Sequence, residues 1–280
     1  MRTPVQNTSR AETNLKLCKA GTAVALLLIT AFSALTFSTR IEDTRRYFAS
    51  SSFTFIFYAL IILTLLFAIV MSLLLKKADR LAPTDNAASK YSSLLPAIAL
   101  IPILIQAFRT TPRNFFSVAI MATALFSVVF CLTSLSTMPK SLALISGYMQ
   151  ILFCIFIIAK LYLDHSVELN APVKVLTQFA AAATTLRVVA DLRYLVERPV
   201  TAQFIFSKSA AILFSLISGI GALTEVLPHP DKYGTDYLIF PIFFFAYGIH
   251  TAVRFFSATM READPAEITV SQTESAASDA

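Results

Sequence analysis

FTFIFYALIILTLLFAIVMSLLL, residues 53–75, runs for 23 positions without a charged side chain and stops at Lys76-Lys77. A helix of that length measures about 35 Å, enough to cross the ~30 Å hydrocarbon core of a bilayer. A helix that is apolar on every face belongs inside a protein core or in lipid. The run therefore reads as a transmembrane helix, and it sets the frame for the rest of the chain.

Working outward, seven more apolar stretches follow the same rule: Ala20–Phe37, Ser92–Phe108, Phe115–Thr137, Leu142–Leu163, Val173–Val196, Ala202–Leu223 and Tyr237–Ser257. The longest connectors, Ser38–Ser52 and Lys76–Tyr91, have about 15 residues each, whereas even a small soluble domain needs about 50. No catalytic domain fits in the loops. Charged residues make up 14% of the chain, against about 25% in soluble domains. Backbone in hydrocarbon must satisfy its own hydrogen bonds, so the expected fold is all-α: a polytopic integral membrane bundle of about eight transmembrane helices with short loops. Residues 1–19 form a basic N-terminal segment, residues 20–260 the bundle, and residues 261–280 an acidic tail rich in Ser, Thr and Ala, with too few large apolar side chains to offset the entropy of ordering.

The net charge of +6 sits at span ends, where Lys and Arg set topology and meet anionic lipid. There is no dense basic run, so nucleic acid is not an expected partner; the lipid bilayer is, with membrane or cytoplasmic proteins as further candidates. With the N-terminus inside, that side carries eleven cations: Arg2, Arg10, Lys16, Lys19, Lys76, Lys77, Arg80, Lys90, Lys140, Arg198 and Arg261. The other carries Arg40, Arg45, Arg46, Arg109, Arg113 and Lys232, with Lys160 and Lys174 close by. This bias and the even span count place both termini in the cytoplasm, with the protein integral to the plasma membrane. The first span is too long for the apolar region of a cleaved signal and reads as an anchor.

Cys18, Cys131 and Cys154 show no metal or disulfide spacing, and no metal or cofactor is expected. Neither a phosphate-binding glycine loop nor a hydrolase or zinc-protease signature is present. Pro96 and Pro102 should kink the third span. Gly219 and Gly221 should allow close helix packing in the seventh, and Pro228-His229-Pro230 marks a stiff turn.

The informative residues are the ionisable ones at membrane depth, each costing about 2.5–3.5 kcal/mol on insertion scales unless it finds a partner. In the sixth span Thr177, Thr184 and Asp191 recur at seven-residue spacing, with Arg187 one turn before Asp191. Ala180 and Ala181 extend this polar-and-small stripe, while Phe179 and Leu186 lie opposite and Arg193 can snorkel to the interface. In the seventh span Thr201, Lys208 and Ser215 stack. At 1.5 Å per residue, Asp191 lies about 8 Å and Lys208 about 9 Å from the same membrane face, so the two should pair, with Arg187 as second cation. The eighth span adds Tyr247, His250 and Arg254 at that depth, and the fifth adds Tyr148 and Gln150. These residues are expected to converge on one cavity with excess positive charge, suited to a phosphate, a carboxylate or a lipid headgroup. Pairing for packing alone is the other reading of the cluster.

Three functions fit. The first is a non-enzymatic sensor, scaffold or membrane-complex subunit. The second is a transporter or binding protein for a small anion or anionic lipid. The third is an intramembrane lipid-modifying enzyme, for which no catalytic motif is found. Reporter fusions at Arg261 and within Ile41–Arg46 should report opposite sides of the membrane; the same side for both would overturn the eight-span topology.

Overall fold

The structure, a computed structural model, describes residues 4–39, 41, 48–49, 51–76, 81–82, 86–110, 115–135, 138–198 and 200–260. The expected acidic tail lies outside these residues. Nine α-helices are described: α1 (Pro4–Thr39), α2 (Ser52–Leu74), α3 (Ala87–Ser92), α4 (Leu94–Arg109), α5 (Phe115–Leu132), α6 (Lys140–Leu163), α7 (Pro172–Leu195), α8 (Thr201–Gly221) and α9 (Asp236–Ser257). With α3 and α4 taken as one span, eight are long and apolar enough to cross a membrane. The all-α polytopic bundle is therefore the observed fold. A two-residue antiparallel pairing of β1 (Leu81–Ala82) with β2 (Thr259–Met260) ties the α2–α3 connection to the chain after α9, which puts both on the face where α1 begins.

α8 is the axial helix: three quarters of its best apolar window is buried, against roughly a quarter to two fifths for the first five spans. Leu213 and Ile217 of α8 join the main apolar core with Phe153 of α6, Val188 of α7 and Phe243 of α9. A second core closes the N-terminal face, where Leu15 and Cys18 of α1 meet Met71, Leu75, Phe204 and Phe255. There Lys19 Nζ donates to the carbonyls of Phe256 at 2.7 Å and Ala258 at 2.5 Å, so α1 caps the C-terminal end of α9.

Of the two prolines in the third span, one lies next to a helix break. Pro96 has no N–H to give the carbonyl four residues back, at Ser92. The third span accordingly breaks at Ser93 into α3 and α4, and Pro96 sits in the first turn of α4, where a missing N–H is tolerated. Pro102 lies inside α4. The fourth span, expected to reach Thr137, ends as helix at Leu132: Thr133 N–H turns back to Phe130 O at 3.2 Å, and the Thr133 hydroxyl donates to the same carbonyl at 2.7 Å. α8 runs on into one π-helical turn, Ala222–Val226.

Polar side chains fasten the opposite face. Lys160 pairs with Asp236 at 2.6 Å, Gln106 Nε2 donates to Asp236 at 3.0 Å, and Lys174 donates to the Val167 carbonyl at 3.1 Å. Burial alone would raise the Asp164 carboxyl. The Ser166 backbone and hydroxyl, the Tyr237 hydroxyl at 2.9 Å and the Lys174 ammonium outweigh it and hold that carboxyl below the ordinary range. Stability from this group is present at neutral pH and is lost only as pH falls below about 3.9.

The connector from α7 to α8 contains a left-handed residue that is not glycine. Glu197 has φ 60°; its N–H meets Tyr194 O at 3.1 Å, and the Arg198 N–H meets Arg193 O at 2.9 Å. This is the six-to-one and five-to-two pattern that ends a helix, with Glu where Gly is usual. Its carboxylate reaches Lys140 at 2.6 Å on the surface, and that ammonium lowers its pKa. Glu197→Gly and Glu197→Ala both remove this ion pair, but only Gly adopts φ > 0 freely. The Gly variant should therefore melt a few degrees above the Ala variant; equal melting temperatures would contradict the strain assigned to this turn.

Candidate functional site

α7, α8 and α9 approach closely because their facing positions are small. Ala183, Ala210 and Ala211 form a buried patch between α7 and α8. On α9, a Cβ at Gly248 would collide with Cβ of Ser215 on α8, so only glycine permits that contact. The three helices are thereby held with their ionisable residues at one depth.

Asp191 is the centre. Its Oδ1 accepts from Lys208 Nζ at 2.9 Å. Its Oδ2 lies 3.0 Å from Arg187 Nε one turn back along α7, and 3.8 Å from Arg254 Nη1 on α9. The Arg187 approach is an ion pair without hydrogen-bond alignment, which leaves Nε and Oδ2 short of an aligned partner. Arg187 places its guanidinium carbon 4.4 Å from the centre of the Tyr247 ring, and Lys208 Nζ lies 4.6 Å from that of Phe204, both favourable for a desolvated cation. Among the described residues, Asp191 is the one carboxylate within 4.0 Å of these three cations. Three positive charges against one negative leave an excess of two.

A small cleft opens beside the cluster between α5, α7 and α9, its enclosed part about large enough for one water molecule and its mouth open. Phe130, Cys131, Thr133, Ser134, Arg187, Tyr247, His250 and Arg254 line it. Arg254 forms the rim, with 18% of its side chain exposed, whereas Arg187 has 2%. His250 is buried and bonds through Nδ1 to Ser92 Oγ at 2.9 Å. Ser92 is the last residue of α3, next to the break at Ser93. Tyr247 is buried, and its hydroxyl has no hydrogen-bond partner among the described residues.

The expected residues divide. Arg187, Asp191, Lys208 and Arg254 come together, and His250 joins them at the cleft wall. Lys208 does not line the cleft: its side chain is fully buried behind Asp191, because the α8 face that carries it points into the packed α7–α8 contact. Tyr148 is a correction. It is 60% exposed on the outer surface of α6; two residues on a helix are about 200° apart, so Tyr148 and Gln150 cannot share a face. Gln150 is the inward one, buried, but its amide donates to Cys154 Sγ in the same helix at 3.6 Å and it lines no part of the cleft. Sequence reasoning missed Ser92, Phe130, Thr133 and Ser134. All four sit at span ends on the face where α1 begins, so counting spans by parity would have given their face but not their place beside the cluster.

Against known proteins, no family model, no curated protein and no solved structure matches the chain.

Asp191→Ala strands three cations and should destabilise the protein by about 3 kcal/mol, since breaking a buried pair costs more than the pair is worth. Adding Lys208→Ala should recover at least about 1 kcal/mol of that loss in a double-mutant cycle. Strict additivity in denaturation measurements would show that the two side chains are uncoupled.

Proposed function

We propose that this protein is a non-enzymatic integral membrane protein that binds an anionic group, a phosphate or carboxylate, in the cleft formed by Arg187, His250 and Arg254. The observation that supports the reading is the uncompensated charge: two of three clustered cations line an open cleft, and the single carboxylate is already shared among all three. A cluster built only for packing is better served by balanced charges, because each unpaired ion in a low-dielectric interior is costly. An anion entering the cleft offsets that cost. Lys208 and Asp191 are the structural half of the cluster, and Arg187 and Arg254 are the binding half.

On this reading the cleft and both termini face the cytoplasm across the plasma membrane, and the Lys/Arg bias of the sequence supports it. A sensor or complex subunit that responds to a cytoplasmic anion or an inner-leaflet headgroup is consistent with this arrangement. A pure scaffold reading rests on short loops and on residues 261–280, which lie outside the described residues.

Transport is a second reading, favoured by a matching cleft at the opposite face. It is lined by Ser117 and Ile120 of α5, Lys160 of α6 and Asp236 and Phe240 of α9, with Gln106 of α4. α5 and α9 thus border both clefts. Between them on α9 lies Phe243, fully buried and edge-on to Phe153 at 5.3 Å. A path across the bundle requires these rings to move.

Purified protein should gain thermal stability with phosphate, small carboxylates or anionic lipid, by about 2.7 kcal/mol at a hundredfold excess over Kd. Arg254→Gln should reduce that gain, and because this rim side chain is the most distant of the three cations from Asp191, it should lower the unliganded melting temperature less than Asp191→Ala does. No stabilisation across the panel would overturn the anion reading.

A further inference from the structure

We propose that the cleft selects oxyanions that carry a proton, such as hydrogen phosphate or a phosphomonoester, over oxyanions that carry none, such as sulfate; this rests on the anion-binding reading above. The selecting atom is Nε2 of His250.

The tautomer of His250 follows from a short chain of hydrogen bonds. The Ser92 hydroxyl has one hydrogen, and it is donated to the Ser89 carbonyl at 2.9 Å. Toward His250 Nδ1, 2.9 Å away, Ser92 Oγ is therefore the acceptor, and Nδ1 carries the hydrogen. In a neutral imidazole the other nitrogen then holds a lone pair. Nδ1 is committed to Ser92, so Nε2 is the nitrogen left for a ligand in the cleft that His250 lines.

His250 stays neutral on grounds of charge. The groups that face it are Arg187, Lys208 and Arg254, opposed by Asp191 alone, and a fourth cation would add to an existing excess of two. The cleft is thus lined by two guanidinium side chains and by an imidazole whose free nitrogen is an acceptor. A tetrahedral oxyanion with one P–OH satisfies all of them, with its bare oxygens toward Arg187 and Arg254 and its hydroxyl donating to Nε2. Sulfate has no hydrogen at neutral pH, so it sets an oxygen lone pair against that of Nε2 and leaves both unpaired. Sites that must hydrogen-bond a ligand group reject analogues that lack it far more strongly than apolar pockets reject a misfit.

The test is calorimetry on the purified full chain at pH 7 with inorganic phosphate and with sulfate. Phosphate should bind at least about tenfold more tightly. A lipid arm separates a headgroup from a free ion. At pH 6, where about half of phosphomonoester groups keep their last proton, vesicles with phosphatidic acid should bind and vesicles with phosphatidylglycerol, a diester without P–OH, should bind weakly. Preference for phosphatidic acid over inorganic phosphate marks the lipid as the ligand, and the reverse marks the free ion. His250→Gln should bring the phosphate-to-sulfate ratio toward one, because an amide turns to offer its N–H. Ser92→Ala touches no ligand, yet it releases the tautomer and should lower the same ratio, whereas Ser92→Thr keeps the hydroxyl and should preserve it. Equal binding of phosphate and sulfate by the unaltered protein, or an unchanged ratio in both His250→Gln and Ser92→Ala, would overturn the selectivity while leaving an anion site. No binding of either ion or either lipid would overturn the anion site itself.

Discussion

A carboxylate within hydrocarbon persists only where cations surround it, and a cation there only where a carboxylate or a ligand answers it. Asp191 is held under that constraint by Arg187 from its own helix, Lys208 from α8 and Arg254 from α9. Three helices are therefore fixed in height by one side chain, since sliding any of them by a turn, about 5.4 Å, would break its contact. The alanines of α7 and α8 and Gly248 of α9 follow from the same need: bulkier residues would hold the helices too far apart for the charges to meet.

The two ends of the bundle differ in how polar groups are satisfied. On the face opposite the start of α1, the Lys160–Asp236 pair is matched one to one, and the Asp164 carboxylate accepts from Tyr237 while Lys174 caps nearby carbonyls. On the face where α1 begins, positive charge is in excess around Asp191, and His250 bonds to a serine beside a helix break. Pro96, which has no N–H for the Ser92 carbonyl, lies in the first turn after that break.

Much of this was legible in the sequence because the bilayer simplifies the problem. Uncharged runs of fixed length have one stable conformation in lipid, so the spans follow from composition, and depth follows from 1.5 Å per residue. Asp191 and Lys208 were matched by that arithmetic alone and stand 2.9 Å apart. Rotation about the helix axis was harder. Tyr148 matched in depth but not in direction, and Lys208 faces Asp191 rather than the cleft. Ser92, Thr133 and Ser134 carry no signal in their own segments, since their significance comes from α3 and α5 lying near α9, and side-by-side helix order is not written in hydropathy. The early end of α5 was hidden too, because hydroxyls turning back on their own carbonyls look apolar enough to continue a span.

The bond from Lys19 to the end of α9 joins the first helix to the last. A chain enters the membrane in sequence order, so this bond forms only once α9 has followed α1. The same holds for Asp191, which arrives on α7 with only Arg187 beside it and meets Lys208 and Arg254 one and two helices later. Among the described helices α9 is thus the latch: the contacts that close this face of the bundle wait for it.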